Sequence, residues 1–144
     1  MTYRLNEFQF ALPPSELLDA SINILKFPEL GTSLIVSRSL LAEGETLQGS
    51  FDSQLKKLEQ QVQELRYQPG VAVRVGTAQE VDALELRSQF NKGNERVFQC
   101  QLALVLPGTR KMLALSYVKA QPLDDADAAH WAIIKGSLNF DGPQ

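Results

Sequence analysis

Residues 97–106 constrain the fold more than any other part of the chain, because every second position there is apolar. Side chains alternate between the two faces of a strand, so this spacing predicts a strand with one uniformly apolar face. That face consists of Phe98, Cys100, Leu102, Leu104 and Leu106. A face of this composition has to be buried, so the core of the protein is expected to lie against it.

Two further alternating segments flank this strand and predict an antiparallel meander. Residues 83–90 precede it and residues 112–119 follow it, each across a turn that contains glycine. A two-residue turn at Gly108-Thr109 would fix the register of the second hairpin. The side chains that this register adds to the apolar face are Leu113, Leu115 and Tyr117.

Shorter segments predict additional extended structure at both sides of the first helix. Alternating stretches at 21–25, 34–37 and 71–76 favour strands. Residues 3–10 are rich in aromatic side chains and predict an extended segment, which Pro13-Pro14 would end because proline fits neither a helix interior nor a central strand.

Two segments predict helices. Residues 46–67 carry apolar side chains three or four positions apart, which indicates a helix lying on a sheet, and Pro69-Gly70 would end it. The members of this apolar stripe are Leu47, Phe51, Leu55, Leu58, Val62 and Leu65. Residues 125–138 predict a second helix, which either Asp124 or Asp125 can cap at its N-terminus.

These elements predict an α+β fold with a mainly antiparallel, twisted sheet and flanking helices. The chain has 144 residues, of which 44% are hydrophobic, and this is enough to build one core without disulfides or metals. No internal repeat and no linker interrupts the pattern. We therefore expect a single domain over residues 1–144.

The second face of the meander fits neither a solvated surface nor an ordinary core, because its side chains are small, apolar and only sparsely polar. Glu85 and Arg87 are expected close to it on the preceding strand. The residues of this face are Gln99, Gln101, Ala103, Val105, Met112, Ala114, Ser116 and Val118.

Two alternatives remain open for this face. In the first, the last helix covers it and Trp131 fills the gap, since sheets in mixed folds are often covered on both sides. In the second, the face is open and receives a partner, because small residues allow a helix to approach closely. Ile22 and Ile24 raise the same question, since they are either core residues or part of an apolar groove for a partner's helix.

Residues that would support catalysis or metal binding are sparse, which favours a binding protein over an enzyme. His130 stands alone in a predicted helix, and Cys100 falls on a core position. Neither a phosphate-binding glycine motif nor a nucleophile motif occurs, and there is no cluster of His and Cys for zinc. We therefore expect no catalytic residue, no cofactor and no metal.

Charge and hydropathy favour a cytoplasmic location. The net charge is −3 without a basic stripe, which argues against nucleic acid as a partner. A single cysteine excludes an internal disulfide and fits a reducing compartment. The longest uncharged stretch, residues 97–109, is shorter than the roughly 20 residues of a spanning helix, and the N-terminal residues lack an apolar signal core.

Several segments, taken in order, resemble one protein family. They are Phe10-Ala11-Leu12-Pro13, Asp19-Ala20-Ser21-Ile22-Asn23-Ile24, Gly44-Glu45-Thr46-Leu47, Gln54-Leu55 with Leu58, Gln99 and Gln101 before Pro107-Gly108, and Trp131 before Ser137-Leu138-Asn139-Phe140. The sequence resembles the Eag-type effector chaperones of bacterial type VI secretion, within the wider DcrB-like and PsbP/Mog1-like group. Leu18 and Phe90 depart from the family pattern, in which tryptophan is common at both places.

The resemblance implies a function and a partner. Such chaperones bind the hydrophobic N-terminal segments of a toxin effector, shield them from water and help to load the effector onto the secretion spike protein. It also implies a PsbP/Mog1-like sheet with flanking helices, paired into a homodimer with concave apolar grooves.

On this basis we predict an effector-binding groove. Ile22 and Ile24 are expected to make apolar contacts, while the amides of Gln99 and Gln101 would hydrogen-bond to the bound helix. The expected floor of the groove is formed by Ala103, Ala114 and Ser116. Leu58 is a further candidate for the edge of the groove, although core packing also accounts for it. The alternative function is that of a non-enzymatic accessory protein of the same fold, which binds a soluble protein.

Overall fold

The computed structural model describes residues 2–4, 7–11, 20–68, 70–77 and 81–140. The strands and helices in them are β1 (Thr2–Arg4), β2 (Gln9–Ala11), β3 (Ile22–Phe27), β4 (Thr32–Leu40), α1 (Leu47–Gln61), β5 (Gln63–Tyr67), β6 (Val71–Val75), β7 (Val81–Lys92), β8 (Glu95–Val105), β9 (Lys111–Lys119) and α2 (Asp125–Gly136). Several residues named above lie outside the described ones: Leu12, Pro13, Pro14, Leu18, Asp19 and Pro69.

Seven of these strands form one antiparallel sheet. Its order is β3-β4-β9-β8-β7-β5, and β6 also pairs with β7. The short strands β1 and β2 pair with each other separately. The predicted α+β class with a mainly antiparallel sheet and flanking helices is therefore confirmed.

One face of the sheet carries the core, as the alternation in β8 predicts. Leu104 lies opposite Leu113, and Leu102 lies opposite Leu115, which is the register expected from a turn at Gly108-Thr109. The backbone N–H of Leu106 donates to the carbonyl of Lys111 and closes this hairpin. We call this side of the sheet the core face. Its buried residues are Leu34, Val75, Val81, Ala83, Cys100, Leu102, Leu104, Leu115 and Tyr117, together with Trp131 of α2.

Helix α2 lies on the core face and has a well-formed N-terminus. The Asp124 carboxylate accepts a hydrogen bond from the backbone N–H of Asp127, and the Asp127 carboxylate accepts one from the N–H of Asp124. This reciprocal capping box satisfies two donors that the first turn leaves without helical partners. The helix begins at the predicted residue and ends two residues before the predicted Leu138.

Helix α1 is shorter than its apolar stripe predicts. It ends at Gln61, and residues 63–67 form the edge strand β5 instead of a last helical turn. Glu64 has a positive φ of 55°, and its carboxylate accepts a hydrogen bond from the Asn91 side chain on β7. Pairing with β7 therefore replaces the helix here, and the prediction that Leu65 belongs to the helical stripe is wrong.

Strand β7 corrects a second expectation. Glu85 lies opposite Leu102 and Arg87 lies opposite Cys100, so both charged side chains point to the core face. They were expected beside the other face, because the alternation within residues 83–90 does not by itself set the register against the next strand. The pairing of Lys92 with Glu95 across a two-residue turn sets that register.

Candidate functional site

The second face of the sheet is only partly covered. Helix α1 packs over β7 and β8, where Phe51 contacts Leu86 and Ala103. Helix α2 lies on the core face, so the alternative in which Trp131 and the last helix cover the second face is wrong. Beyond α1, most second-face side chains of β9, β4 and β3 have no described helix over them, although Met112 at the start of β9 is buried. We call this uncovered area the open face.

Small side chains form the middle of the open face. Ala114 and Ser116 of β9 are half-buried, and they lie opposite Ser37 and Ile35 of β4. Three of these four side chains have no more than two heavy atoms. A helix placed here could therefore bring its backbone close to the sheet.

Two isoleucines form the outer border of the open face. Ile24 lies opposite Ile35 and Ile22 lies opposite Ser37, so register places both on the same face as Ala114 and Ser116. Their side chains are strongly exposed, with 62% of Ile22 and 59% of Ile24 accessible. The interpretation of this pair as core residues is therefore wrong, because nothing described packs over them.

The predicted glutamines differ in their surroundings. Gln99 is buried, and its amide nitrogen donates a hydrogen bond of 3.1 Å to the hydroxyl of Ser88. Gln101 is half-buried and lines a cavity between α1 and the sheet. Of the two, only Gln101 lines the cavity beneath α1, whereas Gln99 lines a separate cavity at the β5 end of the sheet.

The predicted floor residue Ala103 lies under α1. It is only 1% exposed and packs against Phe51 and Leu86. It therefore supports the helix and does not reach the open face. Leu58 is half-buried at the inner edge of α1, where it lines the same cavity as Gln101.

That cavity has a volume of about 290 Å³ and brings in residues that sequence reasoning missed. They are Gln54, Lys57 and Gln61 of α1. With Leu58 they occupy positions i, i+3, i+4 and i+7 of the helix, which is one continuous stripe. The signal in the sequence is that these polar residues lie within one helical turn of Leu58, on the same side of the predicted helix. The cavity is therefore lined by apolar side chains and several side-chain amides.

The titratable groups with shifted pKa values lie on the core face. Burial raises the pKa of the Cys100 thiol, which keeps it protonated and unreactive. Burial also raises the pKa of Tyr117, whose hydroxyl lies 2.8 Å from Nδ1 of His130. Among the described residues, no group of three or more His, Cys, Asp or Glu side chains is arranged to hold a metal ion.

Comparison with known proteins shows both a sequence family and a fold relative. The sequence model of the DcrB family matches residues 7–137. The fold is similar to that of a solved Pseudomonas aeruginosa protein of unknown function, PA94, described as a putative regulator. The TM-score is 0.74 and the identity is 20%, and the match covers 100% of this chain and 98% of the other. No curated protein matches this chain.

Among the described residues, no helix is both long and apolar enough to cross a membrane.

Proposed function

The chain belongs to the DcrB family, and from this premise we propose that it is a non-enzymatic cytoplasmic chaperone of the Eag type. It binds the N-terminal transmembrane helices of a type VI secretion toxin effector, shields them from water and assists loading of the effector onto the secretion spike. The observation that carries this proposal is the exposure of Ile22 and Ile24 beside a floor of small side chains. Exposed apolar area that borders a flat, sparsely polar surface is typical of an interaction site.

The dimensions of the open face suit one helix. Neighbouring strands lie about 4.8 Å apart, and packed helices lie about 8–10 Å apart. A helix placed beside α1 therefore lies about two strands away from it, over β9 and β4. Ile22 and Ile24 on β3 then contact its outer flank, while Leu58 on α1 contacts its inner flank. Strand β4 has nine residues and spans about 30 Å, which is also the length of a 20-residue helix.

The chemistry of the open face suits an apolar helix. Exposed apolar area costs about 25 cal/mol per Å² in water, so a free transmembrane segment gains stability wherever this face covers it. The small residues Ala114 and Ser116 let the helix approach, and the Gln101 amide offers a hydrogen bond to a polar group on it. Because most of these contacts are non-directional, they accommodate different apolar sequences and allow later release.

One such face covers only one side of a bound helix. We extend the proposal to a homodimer, in which a second copy supplies a second groove and encloses more of the apolar surface. The resemblance to Eag chaperones supports this arrangement. The molecular mass of the protein in solution tests it directly, since a homodimer has twice the mass of one chain.

Binding of an isolated apolar helix tests the function. A 20-residue segment of Leu and Ala, fused to a soluble carrier protein, is co-expressed with the chaperone, and the soluble complex is measured by affinity capture. Ile24→Asp should abolish capture, because it places a charge against the apolar helix. Leu25→Asp is the matched control, since Leu25 is 50% exposed on the opposite face of the same strand.

Capture from the native host then identifies the partner. A large effector with hydrophobic N-terminal segments, retained by Leu25→Asp and lost by Ile24→Asp, supports the chaperone function. A soluble partner without such segments, together with no capture of the apolar helix, contradicts it and favours the accessory-protein alternative.

A further inference from the structure

A second cavity, of about 390 Å³, lies at the end of the sheet away from the open face. Strands β5, β7 and β8 form its base, and Pro122 and Leu123, which precede α2, form one wall. The only charged side chains among its lining residues are Arg66 and Arg87. A chain of net charge −3 thus places two cations, and no carboxylate, around one cavity.

Register brings the two arginines together. Arg66 lies opposite Gln89, and the N–H of Gln68 donates to the carbonyl of Arg87, so the arginines are diagonal neighbours on paired strands. Such neighbours lie about 7–8 Å apart at their backbones, within reach of each other's long side chains. Among the described residues, ion pairs are formed by other cations, namely Arg74, Lys119 and Lys135. Arg66 and Arg87 therefore have no described carboxylate within ion-pair distance.

An aromatic ring and a third guanidinium adjoin this pair. Phe98 of β8 lines the cavity, and the guanidinium of Arg96 lies 5.5 Å from the centre of its ring. Phe98, Pro122 and Leu123 add apolar surface to the lining of the cavity. A ligand that fills it should therefore carry both negative charge and apolar surface.

We propose that this cavity binds an acidic peptide segment in which a carboxylate side chain adjoins an apolar one. A guanidinium accepts a carboxylate in a two-point hydrogen-bonding geometry, and two such groups side by side repel each other until an anion neutralises them. A cavity of about 390 Å³ is larger than an inorganic anion requires and has the size typical of a binding pocket. The volume that a carboxylate leaves unfilled lies next to apolar lining residues, and an apolar side chain of the peptide would occupy it. This site is independent of the proposed helix-binding function, since register places Arg66, Arg87 and Phe98 on the core face.

Fluorescence anisotropy with two labelled peptides tests the proposal on the full chain. The probe is Gly-Glu-Leu-Glu-Leu-Gly, and its uncharged counterpart carries glutamine in place of both glutamates. We expect saturable binding of the acidic probe only, with affinity that falls as salt is added. The double variant Arg66→Gln/Arg87→Gln should weaken binding at least about tenfold, which corresponds to the loss of one charge-assisted hydrogen bond.

Arg110→Gln is the matched control, because Arg110 is exposed at the β8–β9 turn and does not line the cavity. Unchanged binding by this variant, together with loss in the double variant, supports the site. If Arg110→Gln weakened probe binding as much as the double variant does, the probe would be attracted by the overall charge of the protein, and the proposed site would be overturned. Absence of saturable probe binding would overturn it as well. Titration with inorganic phosphate separates the two anion classes, since binding of phosphate through Arg66 and Arg87 without binding of the acidic probe would contradict a peptide ligand.

Discussion

The indole Nε1 of Trp131 donates a hydrogen bond of 2.7 Å to the carboxylate of Glu85, 46 residues earlier in the chain. The ammonium group of Lys135 donates to the same oxygen at 2.6 Å. Both donors are on α2 and the acceptor is on β7, so this half-buried carboxylate fixes the last helix to the core face. Because α2 packs on the core face, it does not cover the open face.

Replacing Trp131 with phenylalanine should lower the free energy of unfolding by about 2–4 kcal/mol. The change removes the hydrogen bond to Glu85 and leaves a smaller ring in a packed core position. Urea unfolding followed by circular dichroism measures the loss. Ile133→Ala is the control on the same helix, because Ile133 is exposed and should cost about 1 kcal/mol or less. Equal losses in the two variants would mean that Trp131 does not anchor the helix.

The sequence allowed the core face to be predicted because one strand, β8, alternates without interruption. Its register with β9 followed from the turn at Gly108-Thr109, and this part of the prediction is confirmed. The side taken by α2 could not be predicted, since a stripe with Trp131 packs equally well on either face of an isolated sheet. Glu85 favours the observed side through its hydrogen bonds to Trp131 and Lys135, and its orientation follows from the pairing of β7 with β8, which alternation alone does not fix.

The sequence allowed us to predict which residues share the open face, but not how much of the second face α1 covers. One face of the sheet carries Ile22, Ile24, Ala114 and Ser116, as the alternation of side chains along their strands suggested. The position of α1 over Ala103 could not be predicted, because the apolar stripe of a helix does not specify which strands it covers. The change from helix to β5 after Gln61 was missed for a similar reason, since pairing with β7 is a tertiary interaction.

Ile24→Asp should leave the protein folded while it abolishes binding of an apolar helix. Ile24 is largely exposed, so the expected change in stability is within about 1 kcal/mol, mostly from the low strand preference of aspartate. Thermal unfolding and affinity capture of the Leu/Ala helix are measured on the same preparation. If Ile24→Asp unfolds the protein whereas Leu25→Asp does not, Ile24 is a structural residue and the assignment of the groove is wrong.

Ala114→Leu tests the floor of the open face by size instead of charge. A leucine there should hold a bound helix away from the sheet and weaken its capture at least tenfold, since close approach depends on small side chains. Stability should change by about 1 kcal/mol or less, because Ala114 is only half-buried and nothing described packs on it from α1 or α2. Ala120→Leu, at an exposed position after β9, is the control and should bind normally. Full capture by Ala114→Leu would show that the helix does not lie over β9.

Asp124→Ala should lower the free energy of unfolding by about 1 kcal/mol. The change removes the side-chain acceptor for the N–H of Asp127 and leaves that donor without its cap. Asp125→Ala is the matched control, because Asp125 is also in the first turn and contributes only through the helix dipole, about 0.5 kcal/mol. Chemical unfolding distinguishes them, and a larger loss for Asp125→Ala would contradict the capping role.

The ion pair between Lys119 and Asp127 should make stability depend on pH at the acid end. Burial alone would raise the pKa of Asp127, but hydrogen bonds from the Asp124 N–H and from Lys119, at 2.9 Å, outweigh it and lower the pKa below the usual 3.8. The unfolded chain then takes up the proton first, so the stabilisation is complete above about pH 4 and is lost as the pH falls through the folded pKa. The same hydrogen bond to Asp127 raises the pKa of Lys119 above 10.5, so the ion pair persists up to that pH and is lost above it.

We therefore expect Asp127→Asn to be less stable than the unaltered protein by a constant difference in the free energy of unfolding between pH 5 and 9, and this difference should shrink between pH 4 and 2. Urea unfolding across this range measures it, and a margin that does not change with pH would contradict an ionic contribution from Asp127.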